Sequence, residues 1–326
     1  NFVKDEIIKR GLSGKLQKSQ KSRKSKKALE KTDLSFNTVN NKSVLDLAGG
    51  RGGDFFKYKT NGATKLVLVD ISPDNIYNTD KGAAIRIMKS SFDNQYFKSF
   101  ISNSMVILGD MSKNLANSDA GLDNLNKYYL DILYGRIKPK SCKLSRMFNV
   151  ATNGFDLVVC NLAIHYMFKS KDTLHSFLEN VKQNLVSKGY FIGTFLDGNE
   201  ILKSLNNKDK IEGYHKKTNK LVWSIEKVNP KDKLFDDDNY INQRVIAYMD
   251  TFIEPTEEYL VDMDFLEKEA NKYDLELVDT KMFIDKQDSM YNKYKTKNAD
   301  NYKNIEMNDI IKKWCGFHRW FMFQKK

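Results

Sequence analysis

The segment Ser43-Val-Leu-Asp-Leu-Ala-Gly-Gly-Arg-Gly-Gly-Asp54 constrains the fold of this chain more than any other. An apolar run reads as a buried strand, and the glycine cluster after it opens a helix. Glycine lets the backbone approach a ligand and take angles closed to other residues, while the helix N-terminus presents unpaired amides. The segment therefore predicts a ligand-binding turn. The dinucleotide fingerprint G-x-G-x-x-G is only half matched, because Gly50-Arg51-Gly52 is followed by Phe55 where the last glycine is expected, which argues against NAD. A second strand, Lys65-Leu-Val-Leu-Val-Asp70, ends in an acid twenty residues after Gly50. At that offset a carboxylate meets a ribose diol, so Asp70 is the expected ribose ligand. The plainer alternative is a tight structural turn followed by a surface aspartate.

From Ser43 onward short β-branched runs alternate with longer helical patterns, the signature of a parallel sheet covered by helices, so the class is α/β. Strands are predicted near Ser43–Ala48, Lys65–Ile71, Met105–Leu108, Phe155–Cys160 and Tyr190–Phe195, with helices starting near Gly53, Pro73, Ser112 and Lys171. After Gly198 the pattern changes. Lys220–Val228 and Arg244–Ile253 read as antiparallel strands joined by a polar, acidic connection around Lys231–Tyr240, an insertion or lid. A helix near Met263–Tyr273, a strand near Leu275–Phe283 and an aromatic strand, Gly316–Phe323, close the chain.

The net charge of +12 is unevenly placed: residues 1–31 hold eleven basic groups against Asp5, Glu6 and Glu30. Such a basic arm attracts polyanions, nucleic acid above all, by releasing condensed counterions; a solvated leader is the bland alternative. Cys142, Cys160 and Cys315 form neither a disulfide framework nor a Cys-x-x-Cys zinc pair, so a reducing compartment and no metal are expected. No apolar stretch approaches the ~20 residues of a membrane helix, and the start is lysine-rich, so a soluble intracellular protein is expected. The lack of an initiating methionine makes Asn1 a candidate domain boundary.

The strand, glycine turn, second strand and acid, with Asp46 closing the first strand, resemble class I S-adenosylmethionine-dependent methyltransferases. The resemblance implies a Rossmann-like, mostly parallel seven-stranded sheet with flanking helices and an antiparallel insertion. It implies S-adenosylmethionine as cofactor, S-adenosylhomocysteine as product, Asp46 near the methionine moiety, Asp70 on ribose and Asp110 of Leu108-Gly-Asp110 beside adenine. The fourth strand tip, Cys160-Asn-Leu-Ala-Ile-His-Tyr166, lacks the Asn/Asp-Pro-Pro-Tyr/Phe of amino methyltransferases and resembles the Cys-Gln-Phe-x-x-His-Tyr of messenger RNA cap guanine-N7 methyltransferases. Four further blocks stand in that family's order. They are Asn1-Phe-Val-Lys4 (Asn-Trp-x-Lys), Asp46–Asp54 (Asp-Leu-Gly-Cys-Gly-Lys-Gly-Gly-Asp), Tyr190-Phe-Ile-Gly-Thr194 and Glu257-Glu-Tyr-Leu-Val261 (Pro-Glu-Tyr-Leu-Val). Ala48, Arg51, Asn161 and Glu257 depart from the family's Gly, Lys, Gln and Pro.

On this resemblance residues 1–31 form a basic N-terminal helix or arm and 32–326 the methyltransferase domain, with a lid-like insertion at about 200–255. Lys4, Asp46, Ala48, Gly50, Asp70, Asp110 and Asn161 are expected on the cofactor, and Arg51, His165, Tyr166, Glu258 and His318 on the cap, Phe317 being the alternative to His318. Guanine N7 bears a lone pair and no proton, so alignment by His165, Tyr166 and Glu258 suffices and no general base is needed. The resemblance implies capped RNA as partner, and the lysine-rich start looks like the C-terminal domain of a large DNA virus capping enzyme, with triphosphatase and guanylyltransferase domains in the same polypeptide. It leaves open whether an activating subunit joins. The compartment would be the host cytoplasm with its viral factories, or the virion, for a virus, and the nucleus for a cell. Two other readings stay open: a ribose 2′-O methyltransferase, for which no lysine-centred group stands at the fourth strand tip, and a catalytically silent RNA-binding or scaffold subunit.

Overall fold

The computed structural model describes residues 2–14, 41–93, 95–229, 234–235, 239–251, 254–285 and 309–326. The chain opens with α1 (Phe2–Ser13). Next come β1 (Lys42–Leu47), α2 (Phe55–Thr60), β2 (Ala63–Asp70), α3 (Pro73–Tyr77), α4 (Ala83–Asp93), α5 (Gln95–Ser102) and β3 (Ser104–Leu108). Then α6 (Asn124–Leu133), α7 (Cys142–Ser145), β4 (Phe155–Asn161), a 3-10 turn (Ile164–Lys169), α8 (Lys171–Asn184), β5 (Leu185–Leu196) and α9 (Gly198–Leu205) follow. The remainder is β6 (Lys210–Tyr214), β7 (Leu221–Lys227), β8 (Arg244–Met249), β9 (Thr256–Tyr259), α10 (Met263–Asn271), β10 (Leu275–Met282), α11 (Asp309–Gly316) and β11 (His318–Lys325).

Among the described residues the main sheet has seven strands in the order β10-β11-β5-β4-β1-β2-β3. Its β1–β5 pairings are parallel, and β11 lies antiparallel between β5 and β10. The order reverses between β1 and β4, the switch point outside which an open α/β sheet binds its ligand. Both faces are covered. Val3, Ile7, Ile8 and Leu12, one stripe of α1, join Phe55, Tyr58, Leu157 and Ile192 in one cluster, while Phe168, Phe177, Phe191 and Phe321 anchor the larger cluster opposite. Each such aliphatic side chain contributes about 1.5–3 kcal/mol when fully buried, so α1 is part of the packed body. The basic groups between Lys15 and Lys31 lie outside the described residues.

Two sequence expectations need correction. No helix starts at Ser112: the Asp110 carboxylate captures the Ser112 N–H at 2.8 Å and its hydroxyl at 2.7 Å and turns the chain. The helix begins instead at Asn124, where Asp123 caps it through Asn126 N. The insertion is also larger than two strands, a four-stranded antiparallel sheet β6-β7-β8-β9 that reaches Tyr259. Glu258 sits in its edge strand. Most of the expected acidic connection at 231–240 lies outside the described residues.

Candidate functional site

Strand register builds the site. Asp46 pairs with Leu68 of β2, so Asp70 stands one pleat further on; Asp70 in turn pairs with Leu108 of β3, so Asp110 stands one pleat beyond that. On the other side Asp46 pairs with Val159, which sets Asn161 beside the glycine turn. A cavity of about 640 Å³ opens over these strand ends, lined by Lys4, Asp46, Ala48, Gly50, Asp70, Asp110 and Asn161 together with Asp54, Leu162 and Tyr166. All seven residues expected on the cofactor therefore converge there. Of the five expected on the cap, Tyr166 alone lines it.

The turn is tied to β2 by two amides: Gly49 N–H donates to Val69 O at 3.1 Å and Gly50 N–H to Asp70 Oδ2 at 2.8 Å. Gly50 and Gly52 both have φ in the left-handed region, at 56° and 69°. So has Ala48, at 60°, where a side chain costs roughly 1–2 kcal/mol. A β-carbon on Gly49 would stand 2.5 Å from Leu68 Cγ and 2.9 Å from Asp46 Oδ2, so no larger residue fits under the turn.

The three acids differ in what they have left to offer. Asp70 Oδ1 accepts from Ser72 N–H at 2.9 Å and Asn75 Nδ2 at 3.1 Å, which with Gly50 occupies three of about four acceptor positions. Asp110 uses only Oδ1, on Ser112. Asp46 is buried and accepts from the Tyr58 hydroxyl at 2.8 Å. Burial first, then the neighbouring Asp54 charge, push its pKa up to about 8, against a smaller pull from Tyr58 and Lys4. Asp54 goes the other way: burial opposes ionisation, but Lys4 at 3.3 Å and Lys57 at 2.8 Å hold its carboxyl below the usual range. Asn161 Nδ2 also donates to it, at 3.1 Å.

Beside the cavity lies a second polar group of side chains. His165 and Tyr166 start the 3-10 turn with ring centroids 4.0 Å apart. His165 Nε2 abuts Glu258 Oε2 of β9 in a close polar contact off the line of a hydrogen bond, and both atoms are buried. Burial and the charges of Glu258 and Asp70 raise the Tyr166 pKa to about 12. His318 is buried at the start of β11 with Nδ1 3.0 Å from Trp314 O; burial lowers its pKa to about 4, so the neutral ring donates from Nδ1 and keeps Nε2 as an acceptor. Phe317 instead packs against Trp223, 5.4 Å between centroids, in the insertion core. Arg51 pairs with Asp74 of α3 at 2.5 Å on the surface.

Sequence reasoning missed Asp54 and Tyr58 as members of the site, although Asp54 closes the glycine motif and Tyr58 follows it by one helical turn. It also missed Leu162, whose φ of 57° and 41% exposure set an apolar side chain in the cavity wall. Nothing in the local sequence signals that conformation. Arg86 of α4 is a fourth omission, an exposed guanidinium whose Nη1 lies 3.9 Å from where a β-carbon on Gly53 would stand.

A sheet wound both ways from β1, with a glycine turn and three stepped acids at its switch point, is that of a class I S-adenosylmethionine-dependent methyltransferase. The description "mRNA (guanine-N(7))-methyltransferase domain" matches residues 15–313, and the chain belongs to that family. Lys4 stands before the first matched residue. The chain is 26% identical over 291 residues to the "Probable mRNA-capping enzyme" of Acanthamoeba polyphaga mimivirus, covering 84% of this chain and 22% of that protein. It is 31% identical over 177 residues to the mRNA cap guanine-N(7) methyltransferase of Caenorhabditis elegans, 54% of this chain and 37% of the other. With its Saccharomyces cerevisiae counterpart it shares 26% over 243 residues, 72% of this chain and 46% of the other. The chain thus spans less than half the length of each of these relatives. Among solved structures, an S-adenosylmethionine-dependent methyltransferase from Clostridium acetobutylicum overlies 87% of this chain and 84% of its own, at 14% identity and a TM-score of 0.43.

Proposed function

We propose that this chain transfers the methyl group of S-adenosylmethionine to N7 of the terminal guanine of capped RNA. One observation carries the reading: seven residues suited to the donor line one cavity with Tyr166, whose ring packs on His165, which in turn abuts Glu258. The donor set fits the cofactor. Asp70 keeps an acceptor position for a ribose hydroxyl, Asp110 Oδ2 is open to an exocyclic amine, and Asp46 is a buried carboxyl short of a cation. Lys4 offers an ammonium to a carboxylate. When bound, the cofactor supplies an electrophilic methyl group on a sulfonium.

The residues of the chain then orient and read. A carboxylate such as Glu258 accepts hydrogen bonds from guanine N1–H and the 2-amino group, a pattern adenine does not present. Its charge also favours the positive ring formed as the N7–carbon bond forms and the carbon–sulfur bond breaks. N7 carries a lone pair and no proton, so no side chain has to remove one, and holding the groups in line can contribute on the order of 7–11 kcal/mol. Tyr166 and His165 would flank the base by stacking, His318 Nε2 is a further acceptor, and Arg51 and Arg86 flank the turn where the triphosphate would leave the pocket. The basic groups between Lys15 and Lys31 would add salt-sensitive affinity for RNA. The competing ribose 2′-O reading has one lysine on the cavity, Lys4, and Asp54 holds its ammonium.

The test is incubation of the full chain with GpppG-capped RNA and methyl-labelled cofactor, followed by nuclease digestion and mass analysis. Label on 7-methylguanosine is expected. Label on ribose, or none from a protein that binds S-adenosylhomocysteine, overturns the proposal.

A further inference from the structure

Thr194 is completely buried in β5, does not line the cavity, and pairs by register with Asn161 on one side and Trp320 on the other. Its backbone already completes the sheet, so the hydroxyl is not needed for the strand pairing. That hydroxyl makes one bond and one longer polar contact, both to the β4 tip. It accepts from Leu162 N–H at 3.1 Å, while the same N–H donates to Thr194 O at 2.8 Å. It donates to Asn161 Oδ1 at 3.4 Å.

Each contact removes a freedom that the cavity would otherwise suffer. The doubly accepted Leu162 N–H holds a leucine in the left-handed region, with its side chain part of the cavity wall. A hydroxyl has one proton, and giving it to Asn161 identifies which end of that amide is oxygen. The amide nitrogen must then face Asp54, as it does at 3.1 Å, and Asp54 in turn takes Lys4. One concealed hydroxyl therefore orients a line of polar groups from β5 to α1, three of which line the cavity.

We infer that Thr194 is a positioning residue for methyl transfer, acting through Leu162 and Asn161 and touching neither donor nor acceptor. The inference rests on the function proposed above for the kinetic arm of its test, but its binding arm needs no methyl acceptor. Thr194→Val keeps the shape and removes the hydroxyl; Thr194→Ser keeps the hydroxyl and removes a methyl group. Three quantities are measured on the full chain: S-adenosylhomocysteine affinity by calorimetry, kcat on capped RNA, and thermal unfolding. Thr194→Val should weaken S-adenosylhomocysteine binding about fivefold or more and lower kcat about tenfold, while Thr194→Ser stays within about twofold of the parent in both. Parental affinity and kcat in Thr194→Val overturn the inference. So does a loss that Thr194→Ser shares, or one that follows the melting temperature across both variants. If the parent binds S-adenosylhomocysteine yet leaves guanine N7 unmethylated, the functional proposal fails, and the affinity comparison still decides the role of Thr194.

Discussion

Asp46 offers the sharpest consequence of the site's electrostatics. A carboxyl with a pKa of about 8 holds about 0.9 of a proton at pH 7, where an ordinary aspartate holds almost none. If a cofactor ammonium settles against it, the proton must leave, because an ion pair in a buried site requires the ionised form. Ionising Asp46 at pH 7 costs about 1.4 kcal/mol and at pH 6 about twice that, at 1.36 kcal/mol per unit. Affinity for S-adenosylhomocysteine should therefore rise about tenfold from pH 6 to pH 7. Calorimetry in buffers of different ionisation enthalpy should record release of about 0.9 proton per molecule bound at pH 7. Asp46→Asn should bind more weakly, lose the pH dependence and release almost no proton. A parent protein that releases less than about 0.3 proton and binds equally at both pH values would refute this reasoning. The same group fixes a sign for the free protein. The unfolded chain gives up this proton near 3.8 and the folded chain keeps it to about 8, so the unfolded state binds fewer protons across that interval. Its contribution to stability falls as pH rises from 4 to 8.

Further outcomes follow from single positions. Ala48→Gly should stabilise the free protein by about 0.5–1 kcal/mol in urea unfolding, since it relieves a left-handed alanine at some cost in chain entropy; destabilisation would contradict the strain. Gly193→Ala should destabilise by about 1–3 kcal/mol or more, because the new carbon would stand 2.4 Å from Cys160 O and 2.5 Å from the Phe321 ring. Glu258→Ala should depress cap methylation far more than S-adenosylhomocysteine affinity, and equal loss of both would reduce the residue to a structural role. Replacing the eight basic residues between Lys15 and Lys31 by glutamine should flatten the salt dependence of RNA binding, and an unchanged slope would remove that segment from the interface.

The parallel core was legible because its strands are short, largely apolar runs, three of which carry a polar residue at or next to the C-terminal end: Asp46, Asp70 and Asn161. The convergence of the residues expected on the cofactor was equally legible, since strand ends of one sheet meet wherever the order reverses. What escaped was set by local polar capture and by distant packing. The helix expected at Ser112 is lost to an Asp110 side chain that bonds two residues ahead, a competition composition does not reveal. Glu258 was expected on the cap by resemblance, but its contact with His165, ninety-three residues away in sequence, was not, since it needs β9 to pair with β8. Leu162 and Thr194 lie inside quoted blocks and Tyr58 just after one, but what each does depends on partners that only the folded sheet supplies. His318 and Phe317 are neighbours in sequence with opposite duties, one beside Glu258 and His165 and the other in the insertion core, a division that depends on which face of the chain Trp223 covers.

A crystal structure of the chain with S-adenosylhomocysteine and a GpppG cap analogue together tests the central claim most directly. The account predicts the adenosine across Asp70 and Asp110, the terminal guanine with its N1–H and amino edge on Glu258, and N7 aimed at the sulfur along the path a methyl group would travel. A guanine bound elsewhere, or one turned so that N7 faces away from the sulfur, would contradict it.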